Sequence, residues 1–267
     1  MRLTTLTTLA VGLSLLVLPG CGSGGPEAAT GAPAPTAGVS GAPSVSGTIS
    51  VFAAASLTGA FTKLGAAFEA AHPGTRVVFN FGASSALAQQ VLSGAPADVF
   101  AAASPVTMAT VVDAGDAADP RVFVRNRLQI AVPVDNPGKV TGLADLARPE
   151  LTIALCAPKV PCGAAAAKAF AAAGLTAAPD TLEQNVKAAL SKVVLGEVDA
   201  ALVYRTDVLA AGDKVRGITF PEADRAVNDY PIAPTTEAKN AAGASAFVAY
   251  VLTDGQRVLV DAGFDRP

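Results

Sequence analysis

The chain has 267 residues, with 19 Lys and Arg against 22 Asp and Glu, a net charge of −3, one His and no Trp. Charged residues make up only 15% and no basic run occurs, so nucleic-acid binding has no electrostatic support. With a single histidine, and without a Gly-x-Ser-x-Gly elbow, His-Glu-x-x-His or a P-loop, hydrolase chemistry lacks its usual groups.

Residues 1–20 read as a secretory signal peptide. Arg2 supplies a positive charge, and Leu9–Leu18 is almost wholly apolar but too short to span a bilayer as a stop-transfer helix. Leu18-Pro19-Gly20-Cys21 resembles the lipobox of bacterial lipoproteins, which implies a lipidated Cys21. Ordinary signal cleavage near Gly20 is the alternative. Residues 22–46 are nearly all Gly, Ala, Pro, Ser and Thr, too poor in apolar bulk to offset the entropy of ordering. They are expected to form a flexible tether reaching roughly 25–30 Å from the membrane face.

The remaining body, from residue 47, is about 220 residues, enough for a substantial core or two small lobes. Thr48–Ala53 reads as a buried strand, leading to a helix with Leu57, Phe61, Leu64 and Phe68 on one face and a His72-Pro73-Gly74 turn. His72 reads as a solvated helix-end residue. A strand over Arg76–Phe81, a short helix carrying Leu87 and Val91, and a strand over Ala97–Ala101 complete a β-α-β-α-β run, the pattern of a parallel sheet. Leu128–Val132 follows as a strand, then a Pro/Gly loop to Gly142. A second set comprises a strand over Leu151–Leu155, helices near Ala164–Ala173 and Val186–Leu195, and strands over Ala200–Tyr204 and near Ile218–Phe220. Tyr230–Ala233 forms a further strand, and helices over Ala241–Leu252 and Gln256–Ala262 close the chain. The expected division is lobe I over 47–126 plus 235–267 and lobe II over 127–234, with no internal sequence repeat visible.

Four junctions share one design, in which a strand ends and a small or polar residue starts a helix. They are Ala55-Ser56-Leu57, Ala83-Ser84-Ser85, Val160-Pro161-Cys162-Gly163 and Gln184-Asn185-Val186. Ser56, Ser84 and Asn185 are expected to cap their helices. First-turn amides lack intrahelical partners and sit at the positive end of the dipole, so several such ends converging would bind an anion without Lys or Arg. Each junction taken alone is also what an ordinary capped helix looks like. Tyr204, at the end of Ala201-Leu202-Val203-Tyr204, could donate to a ligand or pack at an edge with its hydroxyl in water. Cys156 and Cys162 are expected to form a disulfide in an oxidising compartment; a redox-active pair is the alternative, though the spacing is not Cys-x-x-Cys.

The segments Val51–Leu57, Phe81–Ala88, Gly94–Phe100, Val160–Gly163, Leu202–Tyr204 and Gly263-Phe264 resemble, in order, the substrate-binding proteins of bacterial molybdate ABC transporters. The resemblance covers essentially all of 47–267. It implies an α/β, type II periplasmic-binding-protein fold with two lobes joined by two crossing strands. It further implies no enzymatic activity and no cofactor. The expected partners are an ABC permease and, through Cys21, the outer face of the cytoplasmic membrane, with the chain acting as a monomer. Carried over residue by residue, Ser56 and Ser84 would supply hydroxyl and backbone donors, Cys162 and Val186 backbone N–H groups, and Tyr204 its hydroxyl. Cys162 departs from the alanine usual at that position, which a backbone contact tolerates. Molybdenum would be reached only through its oxygens, and tungstate should bind similarly. A binding protein for sulfate, thiosulfate or another small oxyanion is the alternative.

Overall fold

The computed structural model describes residues 45–267. The expected signal peptide, Cys21 and nearly all of the tether lie outside the described residues.

The first lobe begins with β1 (Gly47–Ala54), a single 3-10 turn (Ala55–Leu57), α1 (Thr58–Ala71), β2 (Thr75–Gly82), α2 (Ser84–Leu92), β3 (Val99–Ala101), α3 (Pro105–Asp113) and β4 (Arg121–Asn126). The second contains β5 (Leu128–Val132), β6 (Ile153–Cys156), α4 (Pro161–Ala172), β7 (Thr181–Glu183), α5 (Val186–Val194), β8 (Ala200–Tyr204), α6 (Arg205–Ala211) and β9 (Arg216–Ile218). Then β10 (Asn228–Pro234), α7 (Ala241–Leu252) and α8 (Gln256–Asp261) return to the first. None of the described helices is long and apolar enough to cross a membrane.

Two five-stranded sheets result, ordered β2-β1-β3-β10-β4 and β7-β6-β8-β5-β9. β1, β2 and β3 pair in parallel, as their β-α-β-α-β run implies, while each sheet as a whole is mixed. β10 runs antiparallel to both β3 and β4, and β5 runs antiparallel to both β8 and β9. The two antiparallel strands are those beside the lobe crossings, so each lobe repeats one topology although no repeat is visible in sequence. β10 also moves the return crossing: residues 228–234 belong to the first sheet, not to the second lobe as expected. β3, β4 and β10 pair through the ladder, which overrides the proximity in sequence that grouped Tyr230–Ala233 with what precedes it.

The 4, 3, 4 spacing of α1 is realised as a buried face. Leu57, Phe61, Leu64 and Phe68 are fully buried, and Phe61 and Phe68 pack edge-on against Phe247 of α7. His72 is the C-cap of α1, half-buried with its ring stacked on Phe68. Periodicity missed α3, β4, α6 and β7. α3 rests on Pro105 at its start and a Ser104 cap, α6 is only seven residues long with Thr206, Asp207 and Val208 buried, and β4 sets Val122-Phe123-Val124 between two arginines without alternation. Such short elements are stabilised by their neighbours rather than by their own pattern.

Candidate functional site

β1, β2 and β6 end at the cleft between the lobes, and the helix starts that follow them meet there. One cavity is lined by Ala54, Ala55, Ser56, Gly82, Ala83, Ser84 and Ala103 from the first lobe, and by Val160, Pro161, Cys162, Asn185, Val186 and Tyr204 from the second. It therefore unites all five residues expected at the site, none of which is charged. The lobes are closed on it, since Ala55 packs into the hydrophobic core of the second lobe. The cavity is small, about 20 Å³.

The expected caps are only partly formed. Asn185 does cap α5, accepting from Ala188 N–H at 3.1 Å, which leaves Val186 as the first helical residue. Val160 is the N-cap of α4, with Pro161 at its first turn, so the next amides are those of Cys162 and Gly163. Ser56 and Ser84 are not caps. Ser56 lies inside the 3-10 turn and its hydroxyl meets Tyr230 Oη at 2.9 Å, while Ser84 opens α2 after Ala83 and its Oγ accepts from Ala103 N–H at 2.9 Å. Both side chains bond across the fold, to Ala103 just after β3 and to Tyr230 within β10, instead of back onto their own helices.

Cys156 and Cys162 are joined by a disulfide, with Cα atoms 5.7 Å apart. The bridge ties the end of β6 to the first turn of α4. Gly163 fits only as glycine, because a Cβ would stand 2.0 Å from the Ala157 carbonyl oxygen.

Tyr204 is fully buried, not an edge residue in water. Its hydroxyl accepts from Asn228 Nδ2 at 3.0 Å. Burial first, and the nearby Tyr230 and Asp207 next, hold its phenol protonated well above the ordinary range, so it can donate. Burial likewise raises Tyr230. Asp207, with no exposed side chain, accepts from the Tyr204 N–H at 3.2 Å and faces the Lys187 ammonium at 2.8 Å. Burial raises its pKa more than Lys187 lowers it.

Residue reasoning missed Tyr230, Asn126 and Asn228, which stand behind the cavity. Asn126 Nδ2 donates to Thr206 Oγ1 at 2.8 Å and to Tyr230 Oη at 3.4 Å; Asn228 Nδ2 also donates to Ala103 O at 2.6 Å. No local motif marks them, because their partners lie 24 to 125 positions away along the chain. Asp98, within the expected Gly-Ala-Pro-Ala-Asp segment, plays a structural part. Its carboxylate accepts from the Ser50 and Asn240 amides and fastens β1 to the start of α7.

Residues 49–265 match the model of the bacterial extracellular solute-binding protein family. The chain is 42% identical over 270 residues to the molybdate-binding protein ModA of Mycobacterium tuberculosis, covering all of both chains. It is 32% identical over 225 residues to the putative ABC transporter substrate-binding lipoprotein YvgL of Bacillus subtilis, covering 81% of this chain and 86% of that one. The periplasmic molybdate-binding protein of Azotobacter vinelandii shares the fold with a TM-score of 0.73 at 21% identity, over 82% of this chain and 99% of the other. A two-lobed body closing on a small cavity, matched over residues 49–265 by the family model and over its whole length by a 42% identical relative, leaves one assignment: the chain belongs to the bacterial extracellular solute-binding protein family.

Proposed function

We propose that this protein captures molybdate, and tungstate with it, in the interlobe cavity and delivers it to an ABC permease. The observation that carries the reading is the lining: helix-start amides and three hydroxyls from two lobes, with no acidic or basic side chain among them. Molybdate at neutral pH is a fully deprotonated dianion that accepts hydrogen bonds and donates none. Donors with partial positive charge suit it, and in a dry cleft they interact more strongly than in water. In this reading Ser56 and Ser84 give hydroxyl and backbone donors, Cys162 and Val186 backbone N–H groups, and Tyr204 its phenol.

Size supports the same reading. The cavity has room for a few oxygens around one centre, whereas a metabolite-sized ligand needs at least roughly 300 Å³. Sulfate has the same charge with shorter bonds to oxygen, so within fixed walls it reaches fewer donors at good distance. The full-length identity to a molybdate-binding relative points the same way.

Export with a lipid anchor at Cys21, followed by a flexible tether, is the setting we propose for this capture, the body acting as a monomer. The lipobox-like Leu18–Cys21 segment and the similarity to a putative lipoprotein support it. Titration calorimetry with molybdate, tungstate, sulfate and phosphate tests the assignment. Tight binding of the first two with weak or no response to the others is expected; a response to sulfate with none to molybdate overturns it.

A further inference from the structure

Asn126 and Asn228 stand directly opposite each other in the β4–β10 ladder, at the two places where the chain crosses between lobes. Asn126 has no exposed surface and Asn228 is 9% exposed. Their amide orientations are fixed by backbone partners. Asn126 Oδ1 accepts from Arg127 N–H at 3.0 Å, which makes its Nδ2 the group facing Tyr230. Asn228 Nδ2 donates to the Ala103 carbonyl, which can only accept, and the same nitrogen faces the Tyr204 hydroxyl.

We infer that this asparagine pair sets the direction of the protons in the cavity, and so makes the site refuse an oxyanion that still carries a proton. The inference rests on the molybdate reading and deepens it. A hydroxyl has one proton and two lone pairs. Tyr204 Oη already receives a bond from Asn228, so its proton is left for the cavity. The Tyr230–Ser56 hydroxyl contact can run either way; because Tyr230 Oη already receives from Asn126, we assign Tyr230 as its donor, which leaves the Ser56 proton for the cavity. Ser84 Oγ receives the Ala103 amide, with the same result. All three hydroxyls thus present protons to the ligand. A bound hydrogen phosphate would bring a proton that meets no acceptor, and an unmatched buried donor is costly. Asn126 and Asn228 touch no ligand; they are positioning residues that act through Tyr230 with Ser56 and through Tyr204.

The test is a double-mutant cycle on the whole purified protein, titrated with molybdate and with inorganic phosphate. Asn228→Leu introduces no charge and removes the bond that holds the Tyr204 proton forward. Molybdate affinity should fall about tenfold, with phosphate affinity unchanged or raised. In the Tyr204→Phe background the same substitution should change molybdate affinity by less than about twofold, since the hydroxyl it acts through is gone. Unchanged molybdate affinity in Asn228→Leu, or an undiminished effect in the Tyr204→Phe background, overturns the inference and leaves Asn228 a merely structural residue. If unfolding curves show that Asn228→Leu does not fold, Asn126→Leu crossed with Ser56→Ala makes the same test through Tyr230. Failure of the unsubstituted protein to bind molybdate counts against the proposed function instead.

Discussion

The two serines do more than decorate helix starts. Ser84 holds the Ala103 amide and Ser56 shares a hydrogen bond with Tyr230, so each hydroxyl joins the lining of the cavity to a segment behind it. A hydrogen bond to a charged partner contributes about 1.5–3 kcal/mol, and each 1.4 kcal/mol is about tenfold in affinity. Ser56→Ala or Ser84→Ala should each weaken molybdate binding by roughly tenfold to a hundredfold. Calorimetry on the single variants, with folding checked by circular dichroism, decides it, and unchanged affinity would mean that the cavity is not the binding site. Asp207 makes a second prediction at this scale. Its raised pKa means that its contribution to stability is full below the ordinary carboxylate value and lost as pH rises through the folded one. Stability of Asp207→Asn relative to the parent protein should therefore increase as pH rises across that window. Denaturant midpoints measured through it test the sign.

The start of α4 is the element under the tightest local constraint. Its first turn carries Cys162, bridged to the end of β6, and Gly163 lies where no side chain fits. Closing so short a loop stabilises by roughly 2–2.5 kcal/mol in the chain-entropy model. The double substitution Cys156→Ser with Cys162→Ser should lose about that much stability. Because Cys162 is proposed to act through its backbone N–H, affinity should fall by a smaller factor, with faster amide exchange over residues 157–163. Unchanged affinity together with unchanged exchange would remove any role for the bridge in ordering the donor. The same element shows what local pattern can and cannot reveal. Val160-Pro161-Cys162-Gly163 announces a helix start by its proline, and Asn185 announces another. Ser56 and Ser84 carry the same composition without becoming caps, and their hydroxyls find partners on other segments.

At the scale of the whole molecule, the C-terminal segment fastens the lobes at the crossing. Asp265 exchanges backbone hydrogen bonds with Arg125, and its carboxylate receives Arg127 Nε at 3.0 Å and the Arg205 guanidinium at 2.9 Å. Arg205 opens α6 in the second lobe and also reaches the Gly263 carbonyl. Burial pushes the Asp265 carboxyl up, but the bonds from Arg127 and Arg205 outweigh it and hold it below the ordinary value. Its stabilising effect is therefore present above the ordinary carboxylate pKa and lost as pH falls through the lowered one. Asp265→Asn should cost about 1 kcal/mol in neutral solution, the modest value of a partly exposed network. The difference from the parent protein should vanish in acid; equal unfolding midpoints already at neutral pH would show that the fastening contributes nothing.

Much of this protein is determined by short-range pattern. The buried face of α1, the alternation of strands with helices, the disulfide pairing and the residues that line the cavity all follow from spacing, composition and resemblance to a family. These features are local, or are preserved as contiguous segments, so a linear reading reaches them. Tertiary structure alone decides that β10 belongs to the first sheet, that each sheet is mixed, and that Asn126 faces Asn228 across the hinge. It also decides what Ser56 and Ser84 do with their hydroxyls. Each of those outcomes depends on backbone and side-chain groups far apart in sequence meeting in a closed cleft, where an unpaired polar group is costly and every donor must find its acceptor.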